Sequence, residues 1–351
     1  SAAEYCKLYD YTEHALHSIL PQARLSGPAT TGPTAGSNSL KFLRAFLDHC
    51  RSGINYCTQK QGTRLDFITF HVKGGGFPFS VPARVKKENP SIESLLLQVK
   101  TGLDAVRDCG FGDREIVLSE ADPDGWAAGG MYDNANMVFR NSEYYASYVA
   151  CAYAGIERLS VEYGIKVRPL AWAWTFPGET CFEGTRAFTT QGIEKPVFHT
   201  FQLLSMLGSE KIVLESTGIS ADTKASPDIS GIAAGDPSEP GSPLGILLYS
   251  HFEDRDAQSV TPVKMSLSGL APGEVRVSRY SVDKNHSNGY EEWLRRGSPL
   301  YPSGEDYEAI RQSGLLAPPE TEVFRVSEDG TLSLEWELPL HGVWFLSVKR
   351  A

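Results

Sequence analysis

Helix and strand signals alternate through the first two hundred or so residues of this 351-residue chain, and then the alternation stops. A chain that reads helix, strand, helix, strand lays its strands side by side in parallel, with the helices as crossovers between them. Apolar residues at helical spacing (Leu8, Tyr11, Ala15, Ile19) predict a helix over residues 4–19, which Pro21 stops. A short strand over 24–28 follows, then a helix capped by Ser37 that runs through Phe42, Phe46 and Cys50. Residues 65–71 read as the second strand and 92–107 as the next helix. Ile116-Val117-Leu118 then opens a third strand that ends on Glu120. A helix over 142–162, a strand over 167–174 and a helix over 196–207 complete four strand–loop–helix units. Most loops after the strands are long and those before them shorter, which directs chemistry to the C-terminal edge of the sheet.

From about Ser209 the pattern is nearly all strand, with runs at 212–216, 244–250, 263–267, 274–282, 332–338 and 343–348. A Gly/Pro/Ser-rich hinge at 233–243 and a short helix at 303–313 interrupt it. The expected fold is therefore α/β over residues 1–208, followed by an all-β sandwich over 209–351. Four units are half of what a closed (β/α)₈ TIM barrel requires. The first part is thus an open sheet, or the second half of a barrel whose first half lies elsewhere.

The net charge of −10, with charges interspersed, argues against a nucleic-acid surface. No apolar run approaches a membrane span, so neither nucleic acid nor membrane is an expected partner. Ser1-Ala2-Ala3 leads straight into a helix with no visible signal peptide. The compartment stays open, with secretion or the periplasm favoured over the cytoplasm. The six cysteines (Cys6, Cys50, Cys57, Cys109, Cys151, Cys181) show no CxxC and no metal-ligand spacing, so buried free thiols are expected and neither metal nor cofactor is called for. HExxH, P-loop and GxSxG motifs are absent.

Each expected strand end offers chemistry. The second carries His71 and Lys73, the third Glu120 and Asp122 with Trp126 just beyond. The fourth carries Trp172 and Trp174, then Glu179, Glu183 and Arg186. A lone strand-end Glu most often caps a turn, and a lone His most often packs in a core. Lys73 and Arg186 are by default solvated. The assembled set is different: a carboxylate held beneath a ring, an aromatic to stack on and cations beside it are what a glycosidase needs.

Three ordered segments, Leu25-Ser-Gly-Pro-Ala-Thr30, Leu65-Asp-Phe-Ile-Thr-Phe-His-Val-Lys-Gly74 and Leu118-Ser-Glu-Ala-Asp-Pro-Asp-Gly-Trp126, resemble the family 39 glycoside hydrolases, which include β-xylosidases and α-L-iduronidases. Phe182 to Ile193, Lys195-Pro196 and Ser278-Arg279-Tyr280 extend the resemblance. It implies a (β/α)₈ barrel with an attached β-sandwich and a retaining mechanism acting on a carbohydrate. Glu120 would be the catalytic nucleophile at the end of strand seven, with His71 and Lys73 at the end of strand six. Lys73 and Arg186 would lie near a substrate carboxylate, Trp126 beside the sugar, and Glu179 on a sugar hydroxyl. The family's acid/base lies in an Asn-Glu-Pro motif at strand four, and this chain has none. Its four strands would accordingly be strands five to eight, with residues 1–208 the C-terminal half of the catalytic barrel and the acid/base outside the chain. A β-xylosidase-like exo-glycosidase is the leading expectation, and an α-L-iduronidase-like hydrolase of uronic-acid glycosides the alternative. A third reading is an inactive carbohydrate-binding fragment, or one completed by a second chain.

Overall fold

The structure is a computed structural model that describes residues 1–75, 87–126, 129–236 and 242–350. The chain forms two compact units: Ser1–Gly76, Glu93–Gly125 and Gly155–Trp172 in the first, and Phe77–Ile92, Trp126–Ala154 and Ala173–Ala351 in the second.

In chain order the first unit begins with α1 (Ala2–Ile19), β1 (Ser26–Thr31), α2 (Asn38–Ser52), β2 (Phe67–Lys73), α3 (Ile92–Asp108) and β3 (Ile116–Asp122). Helix α4 (Glu143–Tyr163) contributes its last nine residues to this unit, and β4 (Val167–Pro169) closes the series. The four strands make one parallel sheet in the order β1-β2-β3-β4. Strands β2 and β3 are nearly continuous apolar runs, as strands covered on both faces must be. Ile68, Phe70, Val72, Ile116 and Leu118 are fully buried. Helix α3 lies tight on β2, because a Cβ on Gly102 would fall 2.3 Å from the Phe70 ring. Ser1 and Glu4 form a capping box on α1, and the Ser37 hydroxyl caps α2.

Two strands depart from expectation. β1 continues to Thr31 through Gly27-Pro28, which an edge strand tolerates because its outer N–H groups need no partner. β4 stops at Pro169 instead of reaching Trp174. The Leu170 N–H still bonds the Leu118 carbonyl, but the next inward N–H, that of Trp172, goes to the Asp122 carboxylate. The ladder ends there, so Trp172 and Trp174 do not share a strand face. The long loop expected after Lys73 falls largely on residues 76–86, outside the described residues.

The second unit holds the short hairpin β5 (Thr189–Thr190) and β6 (Ile193–Glu194), α5 (Pro196–Ser205) and β7 (Glu210–Ile212). Strands β8 (Asp228–Gly235), β9 (Leu244–His251), β10 (Val260–Leu267) and β11 (Gly273–Val282) follow. Helices α6 (Gly289–Arg295) and α7 (Gly304–Gly314) precede β12 (Glu320–Val326), β13 (Leu332–Pro339) and β14 (Val343–Arg350). A six-stranded sheet, β12-β11-β14-β9-β8-β7, and a two-stranded sheet, β10-β13, are both antiparallel. They bury one apolar cluster that includes Ile246, Val277, Leu334, Leu338, Trp344 and Leu346. The expected hinge at 233–243 is in part strand, since β8 runs to Gly235; residues 237–241 lie outside the described residues. All six cysteines are free, and four of them are buried.

Candidate active site

Strand β2 ends on His71-Val72-Lys73 and β3 on Glu120-Ala121-Asp122, at the same edge of the sheet. The ladder pairs Phe70 with Leu118 and then His71 with Glu120, so Ser119 is an extra residue on β3. Such a bulge re-aims the side chains beyond it. Phe70 faces α3, and His71, the next residue, faces the opposite side of the sheet. The bulge brings Glu120 to that side as well. β1 carries the matching irregularity, with Ala29 left over at φ 55° between Pro28 and Thr30. Thr31, His71 and Glu120 therefore stand in one row across three strands.

An ion-pair triad lies beside this row. The Lys73 ammonium is 2.5 Å from Glu120 Oε2 and also donates to Asp122 Oδ2. Lys73 is only 7% exposed and Asp122 is fully buried. Asp122 Oδ1 accepts the Trp172 N–H at 2.9 Å. The Lys73 backbone is clamped by Gln98, whose Oε1 accepts its N–H at 2.9 Å and whose amide donates to its carbonyl at 2.8 Å. Lys73 thus fixes one oxygen of Glu120 and leaves the other, Oε1, 3.6 Å from His71 Nδ1. That nitrogen also lies 3.1 Å from the Thr31 hydroxyl. Burial holds the His71 imidazole below its ordinary pKa, with Glu120 pulling the other way. Burial thus favours its neutral form.

Glu120, His71 and Lys73 are among the residues the sequence offered as candidates, and the fold brings these three together. Asp122 was visible only as a second acid near Glu120. Its burial and its bond to Trp172 depend on how β4 ends, which spacing does not show.

The other expected residues lie in the second unit. Trp126 is 8% exposed and packs with Met137, Phe139, Tyr145 and Val197. A Cβ on Gly129 would fall 1.9 Å from its ring, so glycine is required there. Arg140 is fully buried and donates to the carbonyls of Gly129 and Gly184 at 2.9 and 3.1 Å, and to that of Trp126. Nothing in the sequence of its short 3-10 helix, Ala135–Asn141, marks this arginine. Arg186 is 1% exposed, so the solvated default does not hold for it. The Lys195 ammonium is equally buried and bonds the Thr185 carbonyl at 3.2 Å; burial brings its pKa down to about 8. Burial pushes the Glu179 carboxyl up, against a hydrogen bond with Thr185 and the charge of Lys195. Trp174, at 61% exposure, lies open.

A parallel sheet with crossover helices, bearing an oriented carboxylate at the C-terminal ends of its strands, defines an α/β enzyme-type scaffold. The chain belongs to the glycosyl hydrolases family 39, whose model matches residues 1–332. It is 25% identical over 88% of its length to human α-L-iduronidase and 23% identical over 99% to the β-xylosidase of Geobacillus stearothermophilus, covering 47% and 62% of those proteins. Among solved structures, the bacterial orthologue of human α-L-iduronidase matches all of this chain and 59% of its own, with a TM-score of 0.79 at 19% identity. A monomeric β-xylosidase from Caulobacter crescentus matches 99% of this chain and 66% of its own, at 0.74 and 18%. The fold is accordingly the mixed α/β fold of that family. The chain spans about half the length of the iduronidases it matches.

Proposed function

We propose that this chain carries the nucleophile half of a retaining exo-glycosidase active site, with Glu120 as the nucleophile. The observation that supports it is the Lys73–Glu120 pair: a rigid ammonium takes one carboxylate oxygen and leaves the other for a sugar. In this reading Glu120 Oε1 attacks the anomeric carbon as the leaving group departs, forming a glycosyl ester that water then hydrolyses. Asp122 does not serve as the acid/base, because it is fully buried and both its oxygens are engaged by Lys73 and the Trp172 N–H. A retaining enzyme needs a second carboxyl about 5–5.5 Å from the first, and we assign it to no residue of this chain.

The four parallel strands in sequential order support their assignment as strands five to eight of a (β/α)₈ barrel. In this reading residues 1–208 are the catalytic part and 209–351 the β-sandwich, whose six-stranded antiparallel sheet begins at β7. Completion by a second chain draws no support from the relatives, one of which is a monomeric β-xylosidase.

For the glycone, the geometry favours a neutral sugar of the β-xyloside type, because two carboxylates already meet the charge of Lys73. An α-L-iduronide is the second reading, favoured by the iduronidase relatives. His71, Trp126, Glu179 and Arg186 are assigned to substrate binding in either case. Assays on nitrophenyl β-xyloside and on an iduronide, run on the protein with its acid/base half in place, decide between them. Glu120→Gln removes activity on whichever is the substrate by about three orders of magnitude, and full activity in that variant rules out the nucleophile assignment. Absence of turnover on every glycoside, with sugar binding retained, identifies the inactive binding module instead.

A further inference from the structure

At the opposite, N-terminal edge of the parallel sheet lies a cavity of about 580 Å³, lined by Arg24, Arg51, Arg64 and Arg114 with one carboxylate, Asp66. Parallel topology assembles it. Arg24 precedes β1, Arg64 and Asp66 precede β2, and Arg114 precedes β3, so all enter their strands from the same side. Six residues of extended chain separate Arg114 from Glu120, about 20 Å, so this cavity is separate from the candidate active site. In a chain of net charge −10, four guanidiniums around one cavity, against the carboxylates of Asp66, Asp113 and Glu115, leave a local excess of positive charge.

The guanidiniums are positioned without being used up. Arg24 lies over the Phe67 ring and gives one bond to Glu115. Arg51 lies over the Phe111 ring and gives one to the Gly110 carbonyl. Among the described residues, Arg114 meets only its neighbour Asp113, at 3.6 Å. Arg64 is the structural member, bonded to Asp66, Pro21 and Ala23. Each guanidinium has five N–H donors, so Arg24, Arg51 and Arg114 keep most of theirs for a ligand. Asp66 is engaged by Arg64 and the Leu25 N–H. The floor is apolar, formed by the buried Leu65, Phe111 and Cys50.

We propose that this cavity is a second binding site, for a sugar-sized molecule bearing a sulfate or phosphate monoester. Forked guanidiniums match a tetrahedral oxyanion in a way that a point charge does not. The volume is that of a small-molecule pocket, about 300–1,000 Å³, not of a bare ion. The apolar floor receives the C–H face of the ring that carries the ester.

Calorimetric titration at fixed ionic strength, with glucose 6-sulfate, glucose 6-phosphate and glucose as probes, tests this. The proposal expects saturable binding of at least one charged sugar, and the tighter of the two identifies the ester. It expects about tenfold weaker binding in Arg114→Gln and more in Arg51→Gln/Arg114→Gln, with glycosidase activity and the thermal midpoint of Arg114→Gln unchanged. Saturable binding of neither ester, equal binding of glucose, or undiminished binding in the double variant overturns it. Arg114→Gln keeps the test decisive should the double variant fold poorly, since among the described residues its guanidinium has no ion pair beyond that with Asp113.

Discussion

His71 on β2 stands opposite Glu120 on β3, with Ser119 passed over between them. That one uncounted residue lets a strand present Leu118 and Glu120 to opposite faces, although ordinary alternation would put them on the same one. Deleting Ser119 should remove the bulge and make Glu120 the residue directly after Leu118, which ordinary alternation still places opposite His71, on the face away from α3. The expected result is glycosidase activity retained in large part, unlike the loss in Glu120→Gln, because Glu120 and Asp122 keep their places opposite His71 and Lys73. Steady-state kinetics together with far-UV circular dichroism check it. Loss as complete as in Glu120→Gln, with the fold intact, would show that the bulge itself, and not only the face it selects, aims the acid.

Lys73→Met should destabilise the first unit by about 3–5 kcal/mol, because it leaves Asp122 as a buried charge stripped of its ammonium. Lys73→Met/Asp122→Leu should recover much of that loss in a urea titration without recovering activity, since Glu120 stays unanchored. Equal stability of the single and double variants would mean that Asp122 is balanced by other groups.

Trp126 serves two readings that predict different numbers. As a member of its apolar cluster, Trp126→Ala should cost about 3–5 kcal/mol of stability. As a sugar contact it should also raise KM. Trp126→Phe separates them, keeping most of the packing. An unchanged KM in Trp126→Phe assigns the ring to the core alone.

The second unit should be acid-sensitive. His251 and His341 are buried, with ring centroids 5.7 Å apart, and the Ser147 hydroxyl lies 2.9 and 3.4 Å from their Nδ1 atoms. Tyr144 and Tyr148 flank them, and the Asp254 carbonyl lies 3.2 Å from His341 Nε2. Burial lowers both imidazoles, His341 to about 4 and His251 well below its ordinary value. The unfolded chain therefore binds protons that the folded pair refuses. Stability from the neutral pair is whole above pH 6.5 and falls as the pH drops toward 4, by up to about 1.4 kcal/mol per pH unit for each histidine. Urea titrations from pH 7.5 to 4.5 check this, and His251→Gln should flatten the slope. An equal slope in that variant would place the acid sensitivity elsewhere.

What the sequence revealed follows from which forces are local. The long helices were legible from periodicity and caps, as at Ser37, and β2 and β3 from their apolar runs. Strand β8 was missed because Asp228-Ile-Ser-Gly-Ile-Ala-Ala-Gly235 is rich in small residues, and its pairing with β9 is what makes it a strand. Strand β12, Glu320–Val326, is largely exposed and charged, and takes its form from β11. At the site, residue types at strand ends pointed to Glu120, His71 and Lys73. The partnership of Lys73 with Asp122, the burial of Arg140 and Arg186, and the two bulges beside β2 arise from pairing between distant segments, which composition and spacing do not encode.

Gly102 sits on the far side of the sheet from Glu120, yet it bears on the site. Helix α3 rests against Phe70 as closely as backbone allows, and Phe70 is joined by one peptide bond to His71. A side chain at 102 meets the Phe70 ring and requires the ring, α3 or β2 to give way, and His71 and Lys73 follow Phe70 on that strand. The back of the sheet is therefore a place from which the row of Thr31, His71 and Glu120 can be shifted by substitution, without altering any of its own side chains.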